Sequence, residues 1–572
     1  MNKITTEFEK WLSHKEIDEQ LYIELNSLKK NTINGDEKVK EAALEEINDR
    51  FYKDLEFGTG GLRGVLGAGT NRMNIYTVRK ATQGVARYLN AHYENPSAAI
   101  GYDSRINSEL FAETATDVLR ANGIDVFLYD TLMPAPALSF ATRYHGCSIG
   151  IMITASHNPS KYNGYKVYND EGCQVTEIAA EEILNYINET DIFSETTYQG
   201  SAKLIYMKEE TKKAFYDAVE AEKMIWDSED VMQQDLARLS VVYTPLNGTG
   251  NLPVREIMRR IGVQKVMVVK EQELPDGMFP SCPYPNPEKR EALERGLALC
   301  NEVKPDLLLA TDPDCDRIGV AVCEGEEQHL LTGNETGILL FDFICMMRKQ
   351  AKEKMIMPQN PVAVRTVVSS QMPDAIAAEY GVFMETTLTG FKYIGETIGK
   401  LEQQGRQNDY IFGFEESYGY LSGTHVRDKD AVNAAMLVCQ MAAWYKKHGR
   451  TLSDRLNELY ERHGYYINHL LDFTFEGEKG MNQMAEIMRS FRDNPPKEMI
   501  GKKVTQFMDY EIAVRLPKAD VLEFMLEDGS GFIVRPSGTE PKLKVYLSAR
   551  AATRNEAETV IRALTNEISK RV

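Results

Sequence analysis

An apolar run passes directly into a polar loop in the segment Ser148-Ile149-Gly150-Ile151-Met152-Ile153-Thr154-Ala155-Ser156-His157-Asn158-Pro159. The apolar part predicts a buried strand, because short apolar runs bounded by turn residues are typical of central sheet strands. A serine at a strand-to-loop corner exposes its hydroxyl, which makes Ser156 a candidate nucleophile. On spacing alone, a polar turn rich in Ser, Asn and Pro is the commoner explanation.

The neighbouring His157 raises the alternative of a serine hydrolase. That alternative is disfavoured, because no G-x-S-x-G pattern surrounds Ser156 and no acid is evident to orient the imidazole. Lys166 follows in Asn163-Gly164-Tyr165-Lys166-Val167-Tyr168 and could fold back toward the serine as a proton shuttle. Taken alone, it is more often a solvated strand lysine.

Away from this segment, apolar runs alternate with amphipathic stretches, which is typical of α/β layers. Ala98–Tyr102 and Val126–Tyr129 are predicted strands of the same sheet. The rhythm restarts at Leu239 and again after residue 330, and paired strands followed by a helix from about Asn555 end the chain. The predicted fold class is α/β, with three related α/β domains and a smaller α+β domain.

A chain of 572 residues exceeds what one hydrophobic core supports, so several domains are expected. We predict four units. They are residues 1–205, a charged helical extension with domain I; 206–326, domain II; 327–460, domain III; and 461–572, domain IV.

Composition and charge exclude several classes of protein. A net charge of −19 argues against a nucleic-acid partner, because polyanion binding needs a surplus of Lys and Arg. The eight cysteines are scattered without a C-x-x-C pair, which fits a reducing cytoplasm. The run from Gly337 to Met347 is too short to span a bilayer. We therefore predict a cytoplasmic protein that binds neither membrane nor nucleic acid. The sequence gives no prediction of the oligomeric state.

Three carboxylates alternate in Thr311-Asp312-Pro313-Asp314-Cys315-Asp316-Arg317, directly after a predicted strand. Their mutual repulsion is tolerable chiefly when a hard cation neutralises it, and oxygen ligands favour Mg²⁺, Mn²⁺ or Ca²⁺ over zinc. An EF-hand is excluded, because Arg317 and Cys323 occupy the positions that need Gly and Glu. Asp312, Asp314 and Asp316 are therefore the candidate metal ligands, with a structural acidic turn as the alternative.

Two further loops suit a phosphorylated sugar. Phe414-Glu415-Glu416-Ser417-Tyr418-Gly419 places carboxylates and a hydroxyl after a predicted strand, although such a pattern is more often a helix N-cap. Arg535-Pro536-Ser537-Gly538-Thr539-Glu540-Pro541 combines an arginine, hydroxyls and a glycine, the parts of an anion site, and a polar hairpin loop is its alternative. Thr59-Gly60-Gly61-Leu62-Arg63-Gly64 is rich in glycine, but it matches neither the Walker spacing nor the dinucleotide-binding spacing. Nucleotide binding is therefore not supported.

Taken together and in this order, the loops resemble those of the α-D-phosphohexomutases, a family that includes phosphoglucomutases and phosphomannomutases. Further matching motifs are Gly101-Tyr102-Asp103-Ser104-Arg105 and Thr389-Gly390-Phe391-Lys392, so the resemblance covers most of the chain. It implies three α/β domains with mixed sheets and a smaller C-terminal domain around a central cleft.

The resemblance also implies roles for individual residues. Ser156 would carry a phosphoryl group and share Mg²⁺ with the three aspartates, while His157, Lys166 and Arg63 would assist at the serine. The substrate would be bound by the side chains of Arg317, Lys392, Glu415 and Ser417. The non-reacting phosphate would be held by Arg535, Ser537, Gly538, Thr539 and Lys544.

The reaction that the family suggests is a double transfer through a sugar bisphosphate. Phosphoserine gives its phosphoryl group to the free hydroxyl of a hexose 1-phosphate, and the bisphosphate turns over and returns the other phosphate. Position 419 is Gly, where dual-specificity phosphomannomutase/phosphoglucomutases have His, and the chain looks more like bacterial α-phosphoglucomutases and the phosphopentomutase-like branch. We therefore expect a phosphoglucomutase with glucose 1,6-bisphosphate as intermediate and activator.

Alternatives to this reading differ in substrate or in class. A phosphomannomutase or a phosphopentomutase is the nearest, because the residues named do not distinguish the sugars. A metal-dependent sugar phosphatase and a non-catalytic sugar-phosphate sensor are less favoured. A sensor has no use for a nucleophile and its metal.

Overall fold

The structure of the protein is a computed structural model, and it describes residues 3–58, 60–194, 202–475, 477–512, 516–536 and 542–572, with only the backbone at 477–479. Within these ranges the chain forms four β-sheets connected through helices. None of the helices in the described part is long and apolar enough to cross a membrane.

Three charged helices precede the first sheet: α1 (Lys3–Ser13), α2 (Glu19–Asn34) and α3 (Glu37–Phe51). Their inner faces are apolar. The fully buried Trp11 packs edge-on against Phe51 and against Tyr76 of the following domain, with ring centroids 5.9 and 5.5 Å apart. The predicted helical extension is therefore present and shares a core with domain I.

The first sheet carries the serine loop. Its elements are β1 (Gly61–Val65), α4 (Ile75–His92), β2 (Ser97–Tyr102), α5 (Ser108–Ala121), β3 (Asp125–Tyr129), α6 (Ala135–Tyr144), β4 (Ile149–Ile153), β5 (Tyr162–Asn169), α7 (Glu177–Asn188) and β6 (Leu204–Met207). The strand order is β1-β5-β4-β2-β3-β6, with β5 antiparallel to both of its neighbours. Lys166 on β5 lies between Met152 of β4 and Gly61 of β1, so the sheet brings it beside the loop that follows β4.

The second sheet carries the aspartate loop. Its elements are α8 (Glu209–Glu220), α9 (Glu229–Leu236), β7 (Ser240–Thr244), α10 (Asn251–Ile261), β8 (Lys265–Val268), α11 (Lys270–Glu273), α12 (Arg290–Val303), β9 (Leu307–Thr311), β10 (Ile318–Glu324) and β11 (Glu327–Leu331). The strand order is β11-β10-β9-β7-β8. Since β9 and β10 are antiparallel neighbours, residues 312–317 form the turn that joins them.

The third sheet carries the Glu-Glu-Ser loop. Its elements are α13 (Gly333–Gln350), β12 (Val362–Thr366), α14 (Met372–Tyr380), β13 (Phe383–Thr387), α15 (Phe391–Gln403), a 3₁₀ turn (Gln407–Asp409), β14 (Tyr410–Glu415), β15 (Gly419–Leu421), α16 (Ala431–Lys447) and α17 (Leu452–His463). The strand order is β13-β12-β14-β15, in which only β14 and β15 pair antiparallel. The loop is the turn between these two strands.

The fourth sheet differs, because its described strand pairs are all antiparallel. Its elements are β16 (Tyr465–Thr474), α18 (Gly477–Asp493), β17 (Glu498–Met499), β18 (Lys502–Asp509), β19 (Leu522–Leu526), β20 (Gly531–Pro536), β21 (Lys542–Ala551) and α19 (Arg554–Ile568). The sheet has its own apolar core. The largest apolar cluster runs instead from Ala99 to Tyr460 and joins the first three sheets.

The predicted fold class is confirmed: three mixed α/β layers precede a smaller α+β unit. The strands predicted around Ala98–Tyr102, Val126–Tyr129 and Ser148–Ile153 are β2, β3 and β4. The three boundaries near residues 205, 326 and 460 stay predictions.

Candidate active site

The serine loop meets the aspartate loop through one hydrogen bond. Ser156 Oγ donates to Asp312 Oδ2 at 2.9 Å and lies 3.2 Å from His157 Nδ1. Ser156 has a left-handed backbone with φ of 52°, an unusual conformation for a residue with a side chain, and its N–H donates to Thr154 Oγ1 at 2.9 Å. Its exposure is only 4%, so the expectation of an exposed hydroxyl was wrong. Domain II covers the serine, a contact that spacing within domain I could not show.

Arg105 holds the serine loop in place through hydrogen bonds to backbone carbonyls. Its guanidinium donates to the carbonyls of Ser156 and Asn158, both at 2.5 Å, and to those of Pro159 and Tyr162 at 3.0 and 3.1 Å. Asp103 pairs with it at 3.3 Å, and both side chains are fully buried. The planar fork of arginine suits several acceptors at once, so one side chain bonds to four backbone carbonyls here.

The three predicted metal ligands are brought together. Asp312, Asp314 and Asp316 are buried, and one carboxylate oxygen of each lies within 4.8 Å of the others. Asp314 Oδ1 and Asp316 Oδ1 are buried without a hydrogen-bond partner. Buried carboxylate oxygens rarely stay unpaired, so this donor set fits a divalent cation with oxygen ligands.

The pKa values of Asp312 and Asp316 are shifted in opposite directions. Burial and then the charges of Asp314 and Asp316 raise the pKa of Asp312 well above its ordinary range. Burial would also raise the pKa of Asp316, but Lys429, Lys166 and Arg317 together lower it. Positive side chains thus offset part of the repulsion around Asp316.

The turn that carries the aspartates is anchored by neighbouring domains. The N–H of Ala135, at the start of α6, donates to the carbonyl of Asp314 at 2.9 Å. The N–H of Ala431, at the start of α16, donates to the carbonyl of Cys315 at 3.3 Å. The aspartate turn therefore lies where domains I, II and III meet.

Lys166 reaches the aspartate turn, and Arg63 reaches the serine loop. Lys166 Nζ lies 2.8 Å from Asp314 Oδ2 and 3.5 Å from Asp316 Oδ2, and Arg63 donates to Asn158 Oδ1 at 3.2 Å. Burial would lower the pKa of Lys166, but the surrounding aspartates raise it. A cavity of about 510 Å³ opens beside both side chains, which is within the size range of small-ligand sites.

The surroundings of His157 favour its neutral imidazole. Burial first, and then the positive charges of Arg317 and Arg63, lower its pKa well below the ordinary value. Its ring lies 6.3 Å from that of Tyr284, in an edge-on arrangement. A neutral ring beside Ser156 Oγ can accept or relay a proton.

The predicted substrate residues surround the same turn. Glu415 ends β14, is buried, and accepts a hydrogen bond from the Gly390 N–H at 2.7 Å; Ser417 lies in the turn that follows. Arg317 pairs with Glu288, and Lys392 pairs with Glu177 of α7. Arg317 is therefore held by an acid of domain II, and Lys392 is held by an acid of domain I.

The predicted phosphate loop lies partly outside the described residues, which exclude Ser537, Gly538 and Thr539. Its two flanks are described: Arg535 and Lys544 are opposite each other on the paired strands β20 and β21. Their charges act on domain III, because Arg535 lowers the pKa of Tyr393 and Lys544 lowers that of Glu416, although burial raises both. The hairpin thus faces the Glu-Glu-Ser loop.

Sequence reasoning missed the charged segment before α16. Arg427, Asp428, Lys429 and Asp430 are all buried, and Lys429 Nζ lies 3.3 Å from Asp316 Oδ2. A run of alternating charges directly before an apolar helix was the available signal, because such a helix cannot lie at the surface. Glu288 was also missed, and the proline-rich stretch before it carried no comparable signal.

Comparison with known proteins gives matches along most of the chain. Models of the phosphoglucomutase/phosphomannomutase family match in order: α/β/α domain I at residues 54–192, domain II at 213–325, domain III at 333–463 and the C-terminal domain at 478–563. A phosphoglucomutase from Staphylococcus aureus is 36% identical over 534 residues, 91% of this chain and 94% of that protein. One from Staphylococcus haemolyticus is 36% identical over 515 residues, 87% and 91% of the two chains.

Solved structures show the same fold. The pp63/parafusin phosphoglucomutase from Paramecium, in an open form, superposes with a TM-score of 0.67 at 19% identity and covers 91% of this chain and 95% of its own. A phosphoglucomutase/phosphomannomutase family protein from Burkholderia thailandensis gives 0.67 at 16% identity, covering 90% and 97%.

The matched domains and the phosphoglucomutase relatives define a phosphotransferase of the mutase type. The chain belongs to the phosphoglucomutase/phosphomannomutase family. The predicted resemblance and the predicted enzyme class are confirmed, while the roles of the individual site residues stay predictions.

Proposed function

We propose that the protein interconverts glucose 1-phosphate and glucose 6-phosphate, with Ser156 as the carrier of the transferred phosphoryl group. The proposal rests on the hydrogen bond of 2.9 Å from Ser156 Oγ to Asp312 Oδ2, which joins the serine loop to the aspartate turn of another domain. Curated relatives that cover nine-tenths of the chain carry the name phosphoglucomutase, which supports glucose as the sugar.

The cation that we propose for the aspartates is Mg²⁺, held by Asp312, Asp314, Asp316 and an oxygen on Ser156. When bound, it supplies positive charge against the oxygens of the phosphoryl group. The orphaned oxygens Asp314 Oδ1 and Asp316 Oδ1 support this ligand set.

The forward half-reaction starts from phosphorylated Ser156. The bond from Ser156 Oγ to phosphorus breaks as the 6-hydroxyl oxygen of glucose 1-phosphate bonds to phosphorus, giving glucose 1,6-bisphosphate. The hydroxyl loses its proton and Ser156 Oγ gains one; we assign the relay to His157 and Lys166, which lie beside the serine and its aspartates, respectively. Arg63, through Asn158, would stabilise the charge at this end of the cleft.

The second half-reaction needs the bisphosphate to turn over. Its 1-phosphate then returns to Ser156, while Glu415 and Ser417 hold the sugar hydroxyls and Arg317 and Lys392 contact the substrate. We assign the fixed phosphate to the hairpin with Arg535, Ser537, Gly538, Thr539 and Lys544. We also propose a cytoplasmic location, in line with the scattered cysteines.

The test is turnover of glucose 1-phosphate with Mg²⁺ and a trace of glucose 1,6-bisphosphate. We expect glucose 6-phosphate to form, and Ser156→Ala to lower kcat by at least about a thousandfold while the melting temperature stays near that of the wild type. Mannose, ribose and N-acetylglucosamine 1-phosphates form the comparison panel. Release of inorganic phosphate faster than isomer formation, or no isomerisation by protein with phosphorylated Ser156, would contradict the proposal.

A further inference from the structure

Lys429 is a buried lysine of domain III that reaches the aspartate turn of domain II. It lies in the connection between β15 and α16 and is 8% exposed. Its Nζ is 3.3 Å from Asp316 Oδ2 and 3.2 Å from Asp428 Oδ1. A buried ammonium is costly unless acids pair with it, so this position is held by specific partners.

Gly419 provides the path for this side chain. A Cβ atom at position 419 would lie 2.0 Å from Lys429 Cδ and 2.5 Å from Lys429 Cγ, far inside van der Waals contact. The glycine is therefore required for space. On the other side, Lys429 Nζ lies 5.7 Å from the ring centre of Phe391, the first residue of α15. The lysine is enclosed between β15 and the first turn of α15, which carries Lys392.

Two ammonium groups share one oxygen of Asp316. Lys429 Nζ and Lys166 Nζ lie 3.3 and 3.5 Å from Asp316 Oδ2, whereas Asp316 Oδ1 is buried without a hydrogen-bond partner and lies 3.8 Å from Arg317 Nε. The arrangement leaves Oδ1 as the oxygen that is open to a cation. Lys429 also lowers the pKa of Glu415, which burial raises, so its charge acts on the sugar loop as well.

The same segment reaches domain I. Asp428 Oδ2 accepts a hydrogen bond from Tyr168 OH, on β5, at 2.9 Å. Asp428 and Lys429 therefore connect the strand that carries Lys166, the aspartate turn and the sugar loop.

We propose that Lys429 is a positioning residue that couples the metal-binding turn to the sugar-binding loop, and that Gly419 is the space it requires. This inference rests on the proposed function, because it assigns Lys429 to the alignment of Asp316 and Glu415 on one substrate. Without the ammonium, Asp316 Oδ2 and Glu415 lose a shared positive neighbour. The aspartates then carry a larger net negative charge, and the sugar loop loses its tie to them.

The test uses the full-length protein and Lys429→Met, which keeps a similar chain without the charge. Mg²⁺ binding is measured by calorimetry without sugar, and kcat and KM are measured separately for glucose 1-phosphate. We expect the Kd for Mg²⁺ to fall by roughly tenfold, because one repelling charge is removed. We expect kcat/KM to fall by about a hundredfold, because reacting groups are misaligned.

Three matched variants separate positioning from stability. Lys429→Arg keeps the charge, and we expect its Mg²⁺ affinity to stay near the wild-type value. Gly419→Ala keeps Lys429 but blocks its path, and we expect kcat/KM to fall as in Lys429→Met. Lys446→Met removes a surface lysine that pairs with Asp306 at 2.7 Å, and both readouts should stay unchanged.

The proposal is overturned if Lys429→Met binds Mg²⁺ no more tightly than the wild type, or if its kcat/KM stays within about twofold. If Lys429→Met does not fold, Gly419→Ala takes its place, and wild-type kcat/KM in that variant overturns the proposal. A wild-type protein that does not isomerise glucose 1-phosphate would reject the proposed function. The Mg²⁺ measurement would still test the placement of Lys429.

Discussion

Charged side chains in this site are paired with groups that come from other domains. Asp316 belongs to domain II, but the ammonium groups around its Oδ2 come from Lys166 in domain I and Lys429 in domain III. Glu415 and Glu416 are consecutive, yet their partners differ. Glu415 accepts from Gly390 N–H, whereas Glu416 Oε2 accepts from Thr366 Oγ1 at 3.3 Å and Ser369 Oγ at 3.5 Å.

Glu416 makes folding stability depend on pH. Burial and then the charge of Glu415 raise its pKa to about 7. The folded protein therefore binds this proton more tightly than the unfolded chain. The stability from the proton is fully present below the unfolded pKa near 4.5 and is lost as pH rises through 7.

We expect Glu416→Gln to raise the free energy of unfolding at pH 8 by on the order of 1 to 2 kcal/mol, since the amide stays neutral. The gain should vanish at pH 4.5 in melting curves recorded across this range. The exposed Glu353→Gln is the control. An equal gain at both pH values would show that ionisation of Glu416 is not the cause.

Among the elements, the loop after β4 depends on the loop after β2. Arg105 follows β2, and its guanidinium donates to four carbonyls of the serine loop and its continuation. The two strands are parallel neighbours, so their carboxyl ends lie at the same edge of the sheet. The conformation of Ser156 is thus maintained by a residue 51 positions earlier.

We expect Arg105→Lys to lower the free energy of unfolding by about 3 kcal/mol, because a lysine cannot satisfy the buried carbonyls and Asp103 together. It should also lower kcat. Calorimetric melting and turnover with glucose 1-phosphate measure the two effects. Arg79→Lys, at an exposed position of α4, serves as the control. Lost stability with wild-type kcat would limit Arg105 to a structural role.

In the whole molecule, domains I and III meet through charged pairs beside the cleft. Arg143 of α6 donates to Glu402 at 2.9 Å and to the carbonyl of Thr424 at 2.7 Å. Glu177 of α7 pairs with Lys392, and Tyr393 OH donates to it at 3.0 Å. Because Lys392 is a proposed substrate contact, this second pair would compete with the substrate for the same ammonium.

We expect Glu177→Gln to lower the KM for glucose 1-phosphate by about two- to fivefold, the value of one partly exposed ion pair. Steady-state kinetics at constant Mg²⁺ measure the change. Glu181→Gln, an exposed acid on the same helix, is the matched control. An unchanged or higher KM in Glu177→Gln would mean that the pair does not compete with substrate.

Much of this protein could be read from its sequence, for a physical reason. Local apolar periodicity predicts strands, and loops at the carboxyl ends of strands predict sites, so Ser156, the three aspartates and the Glu-Glu-Ser loop could be found one segment at a time. Alternation of apolar runs also indicated the α/β class and the smaller last domain.

Only the tertiary structure decided which of these loops touch. The burial of Ser156, the sharing of Asp316 by Lys166 and Lys429, and the pairing of Lys392 with Glu177 join residues that are far apart in the chain. Gly419 illustrates the difference. The sequence shows a glycine in a polar turn, whereas the structure shows that Lys429 occupies the space where a side chain at position 419 would lie. Contacts between domains depend on packing across several sheets, and no local pattern encodes them.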